Sequence, residues 1–251
     1  MKNTPCACAM LALYLTAANS QTADGQSRTA QVPDYIQAAV DDSSRPESDR
    51  KRDPDRKPAE VLAFADIKRG EKVAELVPIS GYYTRLLCRI VGDDGHVAGI
   101  NFTVVAPRQN PVPSALGCNN VTQTTQKTTE LALPAGLDLV WTTENYHDFH
   151  IARFGSPNMM KFDRTIYDAL KPGGVFIIED HAAAAGSGAN DSNTLHRIDP
   201  ALVKQEVEAV GFRLIAESNL LSNPADDHTV PVFKIADKTD RFLLKFQKPS
   251  S

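Results

Sequence analysis

Three consecutive runs decide the fold: EKVAELV at 71–77, YYTRLLCRIV at 82–91 and, after the turn GDDG at 92–95, HVAGINF at 96–102. The first and third are short and near-continuously apolar, as strands buried on both faces are. The middle run places Tyr83, Leu86, Leu87 and Ile90 at helical spacing. A strand, a helix and a second strand in that order predict a parallel pair with its crossover helix. Upstream, PAEVLAFADI at 58–67 reads as a helix with Val61, Leu62 and Ala65 on one face, stopped by KRG at 68–70. Downstream, LDLVWTT at 137–143 reads as a strand, NMMKFDRTIYDAL at 158–170 as a helix ended by KPGG, and VFIIEDH at 175–181 as a strand. DPALVKQEVEAVGF at 199–212 opens on an Asp cap with proline at the first helical position, and FRLIAES and RFLLKFQ supply the last strands. The class is therefore α/β, a mainly parallel sheet with helices on both faces. In such sheets ligands bind beyond the carboxyl ends of the strands. That directs attention to Pro78–Gly81, Asn101–Thr103, Glu144–Asp148, and Asp180 with His181, whose polar side chains are expected to converge on one cavity.

Composition narrows the partners. The 251 residues are 42% hydrophobic and 23% charged, with a formal charge of −4, which gives no electrostatic reason to expect nucleic acid; a small-molecule substrate is the expectation. Lys2 followed by CACAMLALYLTAA at 6–18 has the layout of a secretory signal peptide, and the apolar run is too short for a stable membrane span. Residues 1–20 are thus expected to be removed on export to the periplasm or outside the cell, 21–53 to form a polar extension carrying little core, and 54–251 to form the domain. Cys88 and Cys118 would survive processing, either paired or as two buried thiols. Zinc-site spacings such as CxxC or HExxH do not occur, so no metal site is assigned from pattern.

The densest chemistry is TENYHDFH at 143–150, where Asn145, Tyr146, His147 and Asp148 offer an amide, an aromatic face, a base and a carboxylate within four residues. Asp180, His181, His196 and Arg197 follow the next strand across a small-residue loop. His181, His196 and Asp180 have donor types that could also ligate a metal, although a fifteen-residue spacing is permissive only. NPADDHT at 223–229 reads as a capped turn bearing solvated acids. Arg241 is expected to pair with an acid.

From about residue 46 to residue 249 the chain resembles a family of exported bacterial proteins within the class I, S-adenosylmethionine-dependent methyltransferases. The resemblance rests on RDPDRKPAEVLAFADIKRGEKVAELVP, GYYTRLL, NYHD at 145–148, LKPGG followed by EDHAA, TLHRID at 194–199, ESNLLSNPADDHT and KTDRFLLKFQKP, in that order. It implies a Rossmann-like sheet of about seven strands with the last antiparallel, S-adenosylmethionine as cofactor, and methyl transfer to a small acceptor. It assigns Glu75, Gly81, Tyr82, Asn101 and Asn145 to cofactor binding, and His147, Asp148, His181 and Tyr146 to catalysis, with His147 or His181 as the base. The sequence departs from the family where glycines are usual, with Ile79 and Ser80 in the loop. Because a β-branched residue does not readily take positive φ, the loop is expected to follow another path or to seat the cofactor differently. Asn101 stands where a carboxylate usually meets the ribose. These departures leave open an alternative, an exported relative that has lost the cofactor and binds a small ligand or runs His/Asp or metal-assisted chemistry in the same crevice. A purely structural module has less support, because it would not require two His/Asp clusters at strand ends.

Overall fold

The computed structural model describes residue 1 and residues 31–104 and 116–250; the signal-like segment lies outside these residues. Seven strands, β1 (Lys72–Leu76), β2 (His96–Phe102), β3 (Val121–Gln126), β4 (Leu137–Thr143), β5 (Leu170–His181), β6 (Arg213–Ser218) and β7 (Arg241–Gln247), form one sheet in the order β3-β2-β1-β4-β5-β7-β6. Pairings from β3 to β5 are parallel. β7 inserts antiparallel between β5 and β6. The expected sheet is therefore present, with its chain-order reversal between β1 and β4, where the crevice should open.

Helices cover both faces. On one, α1 (Asp34–Val40), α4 (Pro58–Ala65) and α5 (Tyr82–Val91) bury Ile36, Val61, Leu62, Leu86, Leu87 and Ile90 against Val73 and Trp141. On the other, α6 (Met159–Ala169) and α8 (Pro200–Ala209) bury Phe162, Ile166, Val203 and Val207 against Phe176 and Phe246. Two short turns, α2 (Glu47–Arg50) and α3 (Asp53–Arg56), lead into α4, and α7 (Ser192–Leu195) precedes α8. Asp199 caps α8 through Ala201 N as its sequence predicts. The helix expected over 58–67 stops at Ala65, because Asp66 takes a left-handed conformation (φ 59°) and ends it before the basic turn.

The segment before Pro58, expected to carry little core, contributes a good deal of it. Ile36 is fully buried, and so are the side chains of Arg45 and Asp49. Its charges are neutralised by partners rather than by water. Arg45 is 2.8 Å from Asp53, and Arg85 Nε donates to Asp49 at 2.8 Å. Cys88 in α5 and Cys118 just before β3 are joined by a disulfide, which settles the question their sequence positions left open.

Candidate active site

The loop from β1 to α5 carries the most informative backbone. Val77, Ile79 and Gly81, at alternate positions, have φ of 54°, 46° and 79°. Two β-branched residues thus adopt the left-handed conformation that glycine takes without cost, at a strain of order 1–3 kcal/mol each. The expectation that Ile79 would avoid positive φ is corrected. The surroundings over-determine the turn: Val77 N donates to Ile100 O at 2.9 Å, Gly81 N donates to Pro78 O at 2.8 Å, and Arg85 donates to Ser80 O at 2.9 Å while ion-paired to Asp49. A segment from outside the sheet therefore clamps the guanidinium that clamps the loop.

A cleft of about 350 Å³ opens beside this loop at the carboxyl ends of β4 and β5, lined by Ile79, Asn145, His147, Asp148, His181 and His196 among others. Strands four and five deliver their polar side chains to it as expected. Strand one delivers Ile79 and not Glu75. The Glu75 carboxylate lies under α5, where it accepts a hydrogen bond from the Thr84 hydroxyl at 2.5 Å. Tyr82 also points elsewhere: its hydroxyl donates to Asp53 at 2.6 Å, and the guanidinium carbons of Arg45, Arg52 and Arg56 lie 5.0–5.8 Å from its ring centroid. It anchors the N-terminal segment to α5 by hydrogen bonding and cation–π attraction. Tyr146 is fully buried and donates to Asp163 at 2.9 Å, so its hydroxyl is outside the cleft. Asn101, beside Val77, is buried, and its Oδ1 has no hydrogen-bond partner among the described residues.

His147 is held on two sides. Its backbone N–H donates to one Asp180 oxygen and its Nδ1 meets the other, each at 2.7 Å. Burial works against the imidazolium, but Asp180 and Asp148 outweigh it and hold the pKa up at about 10. With both ring nitrogens protonated near neutrality, His147 is a poor proton acceptor. His181 is the converse. Burial pushes it down to about 4, so it is neutral near pH 7, with Nδ1 2.7 Å from the Thr239 hydroxyl.

Beneath the cleft lies an ion network that the sequence did not disclose. Arg241, expected to pair with an acid, reaches two, Glu179 at 2.9 Å and Glu144 at 3.1 Å. Arg56 bonds Glu144 and also reaches Asp237 at 3.1 Å. Burial opposes ionisation of Glu144, but neighbouring cations, Arg56 foremost and Arg241 among the rest, hold its carboxyl well below the usual carboxylate range. The partners are separated by up to 181 residues, so no local pattern marks them. NPADDHT is a capped turn as read, although Asp226 is buried and ion-paired to Arg197 at 2.8 Å.

Glu75 lends itself to a pH test. Burial pushes its pKa from 4.5 up to about 7. The native state therefore favours the protonated acid, a contribution fully present below about pH 4.5 and lost as pH rises through about 7, worth about 3 kcal/mol. Glu75→Gln, which keeps an oxygen for Thr84, is expected to match the wild type near pH 4.5 and to exceed it by about that amount at pH 8 in urea denaturation. Equal stabilities at both pH values would contradict the buried, protonated carboxyl.

Comparison with known proteins agrees on architecture. No family model matches the chain. A protein-L-isoaspartate O-methyltransferase from Ignicoccus hospitalis is 38% identical over 65 residues, 26% of this chain, and the match spans only 31% of that relative. An S-adenosylmethionine-dependent methyltransferase from Aquifex aeolicus superposes with a TM-score of 0.53 at 18% identity, covering 81% of this chain and 98% of the other. The [4+2]-cyclase SpnF superposes at 0.58 and 15% identity, covering 78% and 82%. These likenesses, with the strand order, the antiparallel β7 and the helices on both faces, show that the chain has the class I methyltransferase fold.

Proposed function

We propose that the protein is an S-adenosylmethionine-dependent methyltransferase that acts, after export, on a small acceptor in the cleft between the β1–α5 loop and the ends of β4 and β5. The observation that carries this reading is the loop itself, which keeps three left-handed residues at alternate positions despite the strain of Val77 and Ile79. The turn so held borders the crevice at the carboxyl ends of the strands, and its Ile79 lines the cleft. The unpartnered Asn101 Oδ1 next to it supplies a buried acceptor suited to a ribose hydroxyl. The loop residues 77–81, Asn101 and Asn145 would hold the cofactor, which when bound supplies a methyl group on a sulfonium. The Asn145 amide nitrogen donates to Thr143 O, leaving its oxygen to orient an acceptor in the cleft. His181, neutral near pH 7 and braced by Thr239, takes the acceptor's proton. Positioning of the acceptor supplies most of the acceleration.

The mildly acidic balance supports a small acceptor rather than nucleic acid. The Cys88–Cys118 disulfide supports an oxidising compartment. No helix among the described residues is long and apolar enough to cross a membrane.

Calorimetric titration of the mature protein with S-adenosylmethionine and S-adenosylhomocysteine tests the reading. Saturable heat is expected, and ligand at 100 times its Kd should stabilise the fold by about 2.7 kcal/mol, raising Tm by about 5–10 °C. Ile79→Gly removes a half-exposed side chain that lines the cleft, and is expected to bind more tightly, by up to about tenfold. Absence of both heat and thermal shift at millimolar ligand, in wild type and Ile79→Gly alike, overturns the proposal.

A further inference from the structure

His147 Nε2, His196 Nδ1 and Asp148 Oδ1 form a triangle with edges of 3.1, 3.3 and 3.4 Å. We infer that these three atoms are the protein ligands of a divalent first-row transition metal ion, held on the wall of the cleft with its remaining coordination positions open to it. The edge lengths suit an ion. Ligand atoms about 2.0–2.2 Å from a metal stand about 3.3–3.6 Å apart in tetrahedral and about 2.8–3.1 Å apart in octahedral geometry. Three atoms so arranged cap one face of either polyhedron.

Hydrogen bonding accounts for one edge of the triangle, His147 Nε2 to His196 Nδ1 at 3.1 Å, and not for the corner at Asp148. Asp148 Oδ1 is buried and makes no hydrogen bond among the described residues, although two imidazole nitrogens lie within 3.4 Å of it. A buried unpaired carboxylate oxygen is costly, and a cation between the three atoms would satisfy it together with both nitrogens.

Around the ligands, the structure supplies what a metal site needs. The far nitrogen of His147 faces Asp180 at 2.7 Å, the carboxylate–histidine pairing that fixes a ligand's tautomer and raises its basicity. The Phe233 ring stands edge-on to His196, with centroids 4.5 Å apart, limiting the ring's freedom. All three ligand residues line the cleft, so a substrate oxygen or water can reach the vacant positions. Two imidazoles and one carboxylate suit Zn²⁺, Co²⁺, Ni²⁺ or Fe²⁺ better than Mg²⁺ or Ca²⁺, which prefer all-oxygen sets. Two features oppose loading: the proton on His147 Nε2 must leave before that nitrogen can ligate, and Arg153 faces His196. Arg153 Nη2 lies 3.0 Å from His196 Nε2, so that nitrogen accepts and Nδ1 carries the hydrogen. Binding through Nδ1 switches the tautomer and displaces the exposed Arg153 side chain.

This site does not depend on the methyltransferase reading, and its test reads metal alone. The mature protein, stripped with chelator, is titrated with Zn²⁺ and with Co²⁺, following heat and the visible absorption of Co²⁺. One equivalent per chain is expected with the spectrum of a nitrogen-ligated ion. His196→Ala and Asp148→Asn should each weaken binding by at least a hundredfold, Asp180→Asn by about 10–100-fold, and His96→Ala on the remote edge of β2 not at all. Arg153→Ala should tighten it severalfold, an outcome that a misfolded variant cannot mimic. Uptake that is unsaturable, or that persists unchanged in both His196→Ala and Asp148→Asn, overturns the assignment, as does failure of Arg153→Ala to strengthen binding.

Discussion

Arg241→Met is expected to destabilise the protein by about 3–5 kcal/mol, because it leaves Glu144 and Glu179 in the interior without the cation between them. The guanidinium also donates to the carbonyls of Asp55 at 2.6 Å and Asp237 at 3.2 Å, which then lose a donor. Removing one charge from a buried pair costs more than the pair itself is worth, since the uncompensated partner keeps its desolvation penalty. The measurement is the urea midpoint at unchanged m-value. Adding Glu179→Gln to Arg241→Met should return part of the loss, since one orphaned charge is thereby removed. A loss below about 1 kcal/mol in the single variant would show that water or a neighbour replaces the guanidinium, and that the network does not hold the floor of the cleft.

Reduction of the Cys88–Cys118 bridge is expected to cost about 3–4 kcal/mol, from the chain entropy that a closure over a sequence separation of 30 removes from the unfolded state. The bond ties α5, whose first turn carries the strained loop, to the chain entering β3 at the sheet edge. Thermal unfolding with and without dithiothreitol measures the effect, and Cys88→Ala/Cys118→Ala should show the same fall in Tm, roughly 10 °C, with no further response to reductant. A wild-type Tm indifferent to reductant would contradict the pairing.

How far the residues disclosed all this depends on where each signal resides. The runs 71–77, 82–91, 96–102 and 137–143 could be read closely because their burial is continuous or has helical period, and the observed α5, β2 and β4 coincide with them. VTQTTQ at 121–126 carries no clear strand signal because β3 is an edge strand with mostly exposed threonines and glutamines, so it shows β-branching without apolar alternation. The charge-dense SSRPESDRKRDPDRK resembles a solvated tail. Asp49, Arg52 and Arg56 find partners at Arg85 and Asp237, 36 to 185 residues away, and only the folded chain can show that.

The cleft divides in the same manner. His147, Asp148, His181 and Asn145 are legible from their positions after strands, which fix direction as well as place. Tyr146, between two of them, alternates to the opposite side and is lost to the core. In the sequence Val77 is an ordinary strand terminus, yet its φ is positive, as is Gly81's. Dihedral strain leaves no trace in residue spacing. The convergence of His196 on His147 depended on its own left-handed conformation, φ 56°, where the chain turns back toward Ile198.

The bond between Arg56 and Asp237 joins positions 181 apart. A nascent chain emerging from the ribosome can lay down most of its sheet before Asp237 and Arg241 exist, but Arg56 and Glu144 then wait with half their counterions missing. Completion of the cleft is thereby postponed to the end of synthesis, and a polypeptide cut short before residue 237 would retain much of its secondary structure while never acquiring a finished pocket.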